Sequence, residues 1–198
     1  WAVLRIRHAY VNLDWGKSAV LVGITWHPLF GAVMPDVLNI STGAPFQPFN
    51  RSPQIRYQYK ANSRVQLTAS VLWQLQYLSS GPKGMSEDYI KNSCIPEMFV
   101  GADFTPADGW LMGLGAHMIS LKPRTSTEWK EQTFKVNERM TAFSYEAHLK
   151  YSGRNYTFAA KTLMASALDH TALLGGYGVS SVDSRTGEQG YTPFRHST

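Results

Sequence analysis

The sequence predicts an all-β fold, a transmembrane antiparallel up-and-down β-barrel with about eight strands in view. Three observations predict it: a long two-residue alternation between Gln54 and Tyr77, a regular succession of short and long connections, and a composition rich in aromatics but poor in charge.

From Val65 onward every second residue is apolar: Val65, Leu67, Ala69, Val71, Trp73, Leu75, Tyr77. Between them lie Gln66, Thr68, Ser70, Gln74 and Gln76, with Leu72 the one apolar exception. A period of two is that of a strand with one greasy and one wet face. Before the Lys60–Ser63 turn, Ile55, Tyr57 and Tyr59 alternate with Gln54, Arg56 and Gln58. The second strand of this hairpin runs about 13 residues, where soluble strands cluster near 5–6 and a tilted membrane strand needs roughly 9–11. A soluble β-sandwich hairpin is the competing reading of this stretch alone.

The 198 residues are 13% aromatic, with six Trp and ten Tyr, and 17% charged. Soluble domains average about 25% charged. No segment approaches the ~18 consecutive apolar residues of a membrane helix. A slightly negative mean hydropathy is compatible with a barrel, because lumen-facing residues dilute the average. The net charge of +5 comes from scattered Lys and Arg, which argues against nucleic acid as a partner. The single Cys94 excludes a disulfide framework and a multi-cysteine metal site within the chain. No signal peptide precedes the strand-like opening WAVLRIRHAYVNL.

In chain order, Ala2–Leu13 turns through Asp14–Lys17 into Ser18–Trp26, and a long segment leads to the Gln54–Tyr77 hairpin. Leu78–Pro96 separates that hairpin from Glu97–Phe104, which turns through Thr105–Gly109 into Trp110–Leu121. The polar loop Lys122–Lys135 precedes Glu138–Tyr151, which turns through Ser152–Asn155 into Tyr156–Leu168, followed by a Gly/Ser-rich tail. Short turns at one end and long loops at the other match a membrane barrel, whereas a Greek-key sandwich mixes connection lengths. The whole chain, 1–198, therefore reads as one barrel domain, with strands missing at both ends because neither terminus resembles a closing strand.

With the apolar sets turned to lipid, the lumen receives Gln54, Arg56, Gln58, Gln66, Thr68, Ser70, Gln74 and Gln76, then Glu97, Asp103, His117, Glu146, His148 and Lys161. Such a lining suits polar solutes. Arg5, Arg7 and Arg56 would form a basic ladder favouring anions, or would pair with lumen carboxylates and select nothing. The segment 27–53 holds five of the ten prolines beside Leu29, Phe30, Val33, Met34, Val37, Leu38, Ile40, Phe46 and Phe49. It cannot be regular throughout and must pack on something, as a constriction folded into the barrel or as a subunit contact.

Enzyme signals are weak. Six histidines, His8, His27, His117, His148, His170 and His196, show no HExxH-type spacing, and no GxSxG elbow occurs. Asp169-His170 near Ser166 suggests a hydrolase only if the fold supplies mutual geometry. The expectation is no catalysis, no cofactor and no metal.

Arg7-His8-Ala9-Tyr10, a tight turn, then Gly23-Ile24-Thr25-Trp26 resembles the R-H-A-Y … G-x-T-W signature of DcaP-like outer-membrane porins. Pro35-Asp36 and Asn50–Arg56 are similar to that group's inward-folding segment. The resemblance is strongest over Leu4–Arg56 and is architectural beyond it. It implies a homotrimeric barrel of about sixteen strands in a Gram-negative outer membrane, contacting lipid and lipopolysaccharide, that passes small polar and often anionic solutes. Its pore arginines would correspond to Arg5, Arg7, Arg51 and Arg56, joined by Gln58, Gln74, Glu146 and Lys161 from the face assignment. A structural or accessory barrel with a plugged lumen is the alternative, and an outer-membrane hydrolase a third.

Overall fold

Period-two patterning gives strands, and tight polar turns fold successive strands back on one another. The computed structural model describes residues 6–31, 33 and 46–198. Its strands are β1 Ala9–Asp14, β2 Ser18–Trp26, β3 Arg51–Lys60, β4 Val65–Leu72, β5 Ser80–Gly81, β6 Gly84–Met85, β7 Glu97–Phe104 and β8 Trp110–Leu121. Then follow β9 Ser126–Trp129, β10 Gln132–Lys135, β11 Met140–Ser152, β12 Thr157–Ser166, β13 Tyr177–Val182, β14 Gln189–Pro193 and β15 Arg195–Ser197. One short helix, α1 Asp88–Ser93, precedes β7.

The described residues form a nine-stranded antiparallel sheet in the order β1-β2-β3-β4-β7-β8-β11-β12-β15. The fold is all-β. The sheet is open: β1 and β15 are its two edges and do not pair with each other, so no closed barrel is found among the described residues. Nine strands are present where about eight were expected, because the tail contributes β15, paired to β12 through Met164–Ser197 and Ser166–Arg195. The alternation to Tyr77 outlasts its strand. The β4 ladder ends at Leu72, after which Gln74 turns inward to bond Ser79. Among the described residues the first strand begins at Ala9, with Ala2–Arg5 of the expected strand lying outside them, and the polar loop 122–135 and the tail each carry a small hairpin, β9–β10 and β13–β14.

The short turns cap themselves. Asp14 Oδ1 accepts the Gly16 N–H at 2.6 Å, and Asn62 Oδ1 accepts those of Arg64 and Val65 at 2.8 and 2.9 Å. Aspartate and asparagine hold turns in this way by mimicking a backbone carbonyl.

Register decides what each face presents. One row crosses the sheet as Leu13, Val20, Tyr57, Ala69, Val100, Ala116, Tyr145 and Met164, and a second as Val22, Ile55, Val71, Met98, Met118 and Phe143. The large side chains of these rows are mostly exposed, Val100 at 59% and Met164 at 64%. Trp15, Tyr59, Phe104, Tyr156 and Phe158 gather at the short-turn rim of the same sheet. The opposite face carries Arg56, Ser70, Phe99, His117 and Ser144 in one row and Gln66, Asp103, Gly113, His148 and Lys161 in another.

The described parts of the long connections 27–50, 73–96, 122–139 and 167–194 fold over this polar face at the far end. Leu29, Leu72, Phe99, Leu163, Leu168 and Leu173 make one core there; Tyr89 and Ile90 of α1 pack on Ile119, Leu121, Met140 and Ala142 in another. Glu138 ties two of the loops together. Arg124 donates Nε–H to its Oε2 at 2.8 Å and pairs with its Oε1, the Gln189 amide donates to Oε1 at 2.7 Å, and the Tyr191 hydroxyl to Oε2 at 3.1 Å.

Burial pushes the Glu138 carboxyl up, but Arg124, the Gln189 amide and Tyr191 outweigh it and hold it below its ordinary value of 4.5. A depressed carboxyl stabilises the fold above its unfolded value and loses that contribution as pH falls through the folded one. Acidification below about pH 4.5 should therefore expose the 122–139 loop to limited proteolysis. Glu138→Gln should remove that acid step and leave docking weaker at neutral pH; an unchanged acid step would assign it elsewhere.

Candidate functional site

Glu97 opens β7 at the long-loop end, and its side chain is turned inward and 1% exposed. Three imidazoles converge on its Oε2: Nε2 of His170 at 3.1 Å, of His117 at 3.2 Å and of His27 at 3.4 Å. Its Oε1 accepts the Gln74 amide at 2.8 Å, and Gln74 in turn bonds the hydroxyl and amide of Ser79 at 2.8 and 3.0 Å. Each partner arrives from a different element. His27 follows β2 and caps the 3-10 turn Pro28–Phe30, Gln74 follows β4, His117 lies on β8, and His170 sits in the 3-10 turn Asp169–Thr171. One carboxylate thus joins three long loops to two strands.

A carboxylate removed from water is costly unless its lone pairs are met. Four N–H groups meet them here. Burial pushes the His27 imidazole down to about 4, so it is neutral at pH 7, and its Nδ1 accepts the Leu29 N–H at 3.2 Å. Burial also opposes charge on His170, yet the Glu97 carboxylate beside it outweighs this and its net shift is upward. The Nδ1 atoms of His117 and His170 are buried without a partner.

The donor atoms of His27, Glu97 and His117 lie within 4.8 Å of one another, so this trio could hold a metal ion. Imidazole and carboxylate are zinc ligands. Ligation through His27 Nε2 needs the proton on Nδ1, which breaks the Leu29 contact. An orphaned amide costs about 1–3 kcal/mol, against about 10–16 kcal/mol for structural zinc at neutral pH. The cost does not exclude binding.

Towards the short-turn end the same face opens into a cavity of about 560 Å³, lined by Tyr10, Trp26, Phe30, Arg56, Gln58, Gln66, Thr68, Asp103, Glu146 and His148 among others. Arg56 is steered by Gln54 Oε1 at 3.0 Å and the Trp26 carbonyl at 2.6 Å. Lys161 pairs with Glu146 at 3.2 Å and donates to the carbonyls of Leu29 and Phe30, pinning the start of the 27–50 loop to the wall. His148 faces Asp103 at 3.1 Å across Gly113. A Cβ at Gly113 would lie 2.3 Å from the His148 ring, so only glycine leaves the ring its place.

Of the residues singled out from the sequence, Arg56, Gln58 and Glu146 line the cavity, and Lys161 sits beside it. Gln74 is fully buried on Glu97. Arg51 is buried with its guanidinium 4.6 Å from the Trp26 ring centre and 5.3 Å from that of Phe49, away from the cavity. Arg7 is exposed ahead of β1, and Arg5 lies outside the described residues, as do 34–45. Of the four arginines, Arg56 is the one that lines the cavity among the described residues, and the expected ladder of Arg5, Arg7 and Arg56 includes a member outside them. Ser166 and His170 do not face each other as nucleophile and base, since His170 Nε2 is on Glu97 and the Ser166 amide bonds Ser144. The histidine cluster escapes sequence reasoning because its members stand at 27, 117 and 170, with no local spacing. Its one hint is the inward assignment of Glu97 and His117.

No family model, curated protein or solved structure matches the chain.

Glu97→Ala strands four inward N–H groups and should destabilise the protein by about 3–5 kcal/mol, with the 27–50, 73–96 and 167–194 loops becoming protease-sensitive together. Gly113→Ala should cost about 1–3 kcal/mol by displacing His148, read as a lower thermal midpoint. Loops that open one at a time in the Glu97 variant would show that the carboxylate does not couple them.

Proposed function

We propose that this chain forms the wall of an outer-membrane β-barrel channel through which small polar solutes diffuse passively. One observation carries the reading: register places apolar side chains along one face of the sheet and most of its polar and charged ones on the other, with a cavity of about 560 Å³ on that side. An exposed apolar sheet this broad is unfavourable in water and suits lipid. The aromatics at the short-turn rim fit an interfacial girdle. Two unpaired edges fit a sheet continued by further strands, because an open edge is a liability that barrels abolish.

The charges beside the cavity balance. Arg56 and Lys161 contribute two positive charges, Asp103 and Glu146 two negative, and both Lys161–Glu146 and His148–Asp103 are in contact. Fixed charge of one sign sets pore selectivity. A balanced lining therefore supports passage of neutral or zwitterionic solutes with weak ion preference, in place of the anion preference that a basic ladder would give.

A second reading rests on the two apolar cores that fill the polar face at the long-loop end. They support a barrel whose lumen is closed there, an accessory subunit of a larger assembly in the same membrane.

Purified protein in planar bilayers should give ohmic conductance steps, with a reversal potential near zero under a salt gradient. Arg56→Glu turns the balance into a net −2 and should shift that potential towards cations. Complete absence of current would sink the channel reading and favour the closed barrel. Conductance with an unmoved potential in the Arg56 variant would remove that residue from the pore.

A further inference from the structure

We infer that the Glu97 hub binds a divalent transition metal ion, zinc being the ion its donors fit best, held by His27, His117 and Glu97. The inference concerns how the loops are fastened and stands whether or not the sheet lines a channel.

Charge is the first argument. Glu97 is a fully buried carboxylate, and among the described residues its ion-pairing partners are all histidines, with no lysine or arginine. Buried charges are ordinarily paired or coordinate metals. The imidazoles satisfy its lone pairs, and a divalent cation would add a full opposite charge.

Distance is the second. A tetrahedron with bonds of about 2.0–2.1 Å has edges of about 3.3 Å. The Nε2 atoms of His117 and His27 stand 3.2 and 3.4 Å from the same carboxylate oxygen. His27, His117 and Glu97 already gather their donor atoms within 4.8 Å. Two imidazoles and one carboxylate make a three-ligand set that a water completes to four.

The surroundings complete the case. The side chains of His27, His117 and His170 are 0% exposed. The unpartnered Nδ1 of His117 is free to take the ring proton when a metal binds, which would turn its Nε2 lone pair inward. Gln74, itself fully buried, holds the second carboxylate oxygen and is fastened by Ser79, the kind of outer support that orients a ligating carboxylate. Because the donors come from two strands and one loop, with Gln74 adding a second loop, one ion would staple the long-loop end of the sheet.

The test is elemental analysis of protein folded with zinc and freed of loose metal by gel filtration, with cobalt replacement read by visible absorption. One zinc per chain and the intense bands of four-coordinate cobalt are expected. His117→Ala should abolish stoichiometric zinc, Gln74→Ala should weaken affinity about 10- to 100-fold, and His196→Ala should leave it unchanged. Background zinc in folded wild-type protein overturns the proposal, as does zinc retained in both His117→Ala and Glu97→Gln, which would place the ion on other imidazoles. The cobalt spectrum needs no substitution, so a variant that fails to fold does not blunt the test. None of these readouts depends on conductance.

Discussion

A single buried carboxylate sets the terms for the long-loop end of this molecule. Glu97 lies at the start of a central strand, out of water, and its oxygens must be met by donors. Those donors are drawn from the loop after β2, the loop after β4, the neighbouring strand β8 and the loop after β12. None of these elements can leave without stranding the carboxylate, so they are coupled. Glu138 repeats the arrangement more openly, joining the 122–139 loop to the β13–β14 hairpin through Arg124, Gln189 and Tyr191. Between them, the two glutamates hold all four long connections.

The rest of the polar face follows from what the loops leave uncovered. Leu29 and Phe30, fixed by His27 on one side and Lys161 on the other, fill the face as far as Phe99 and Leu163. Beyond that point the inward residues are glycines, amides and paired charges, and the cavity opens. Gly113 and Gly115 matter by what they omit. A Cβ at Gly115 would come within 2.8 Å of both Glu146 and Phe99, so the absence of side chains on β8 makes room for those of β7 and β11. Lys161 neutralises Glu146 while holding the loop, and one residue thus links loop position to the charge balance of the cavity.

The outward face has the opposite character. Its rows cross up to eight strands with no charged residue in them, and nothing among the described residues covers them. In water such a face would drive association; in lipid it is at rest. The proposed membrane setting rests on this contrast between the two faces of one sheet, and the two open edges point the same way.

The sequence by itself determined the long strands, the tight turns between them and the alternation of faces along β3 and β4, because a period of two and an Asp or Asn at a tight turn are local properties of the chain. The inward assignment of Gln54 to Gln76 agrees with the burial of Gln54, Ser70 and Gln74 and the exposure of Ile55, Leu67 and Val71. What the tertiary structure alone decided is which inward residues meet. Gln74 reads as pore lining by parity but lies past the end of β4, where the chain turns and carries it to Glu97. Arg51 reads as a pore cation, yet Trp26 and Phe49 enclose it. His27, His117 and His170 have no spacing in common, and they become neighbours only through strand register and the return of two loops over the sheet. Those contacts are long-range, and no local pattern encodes them.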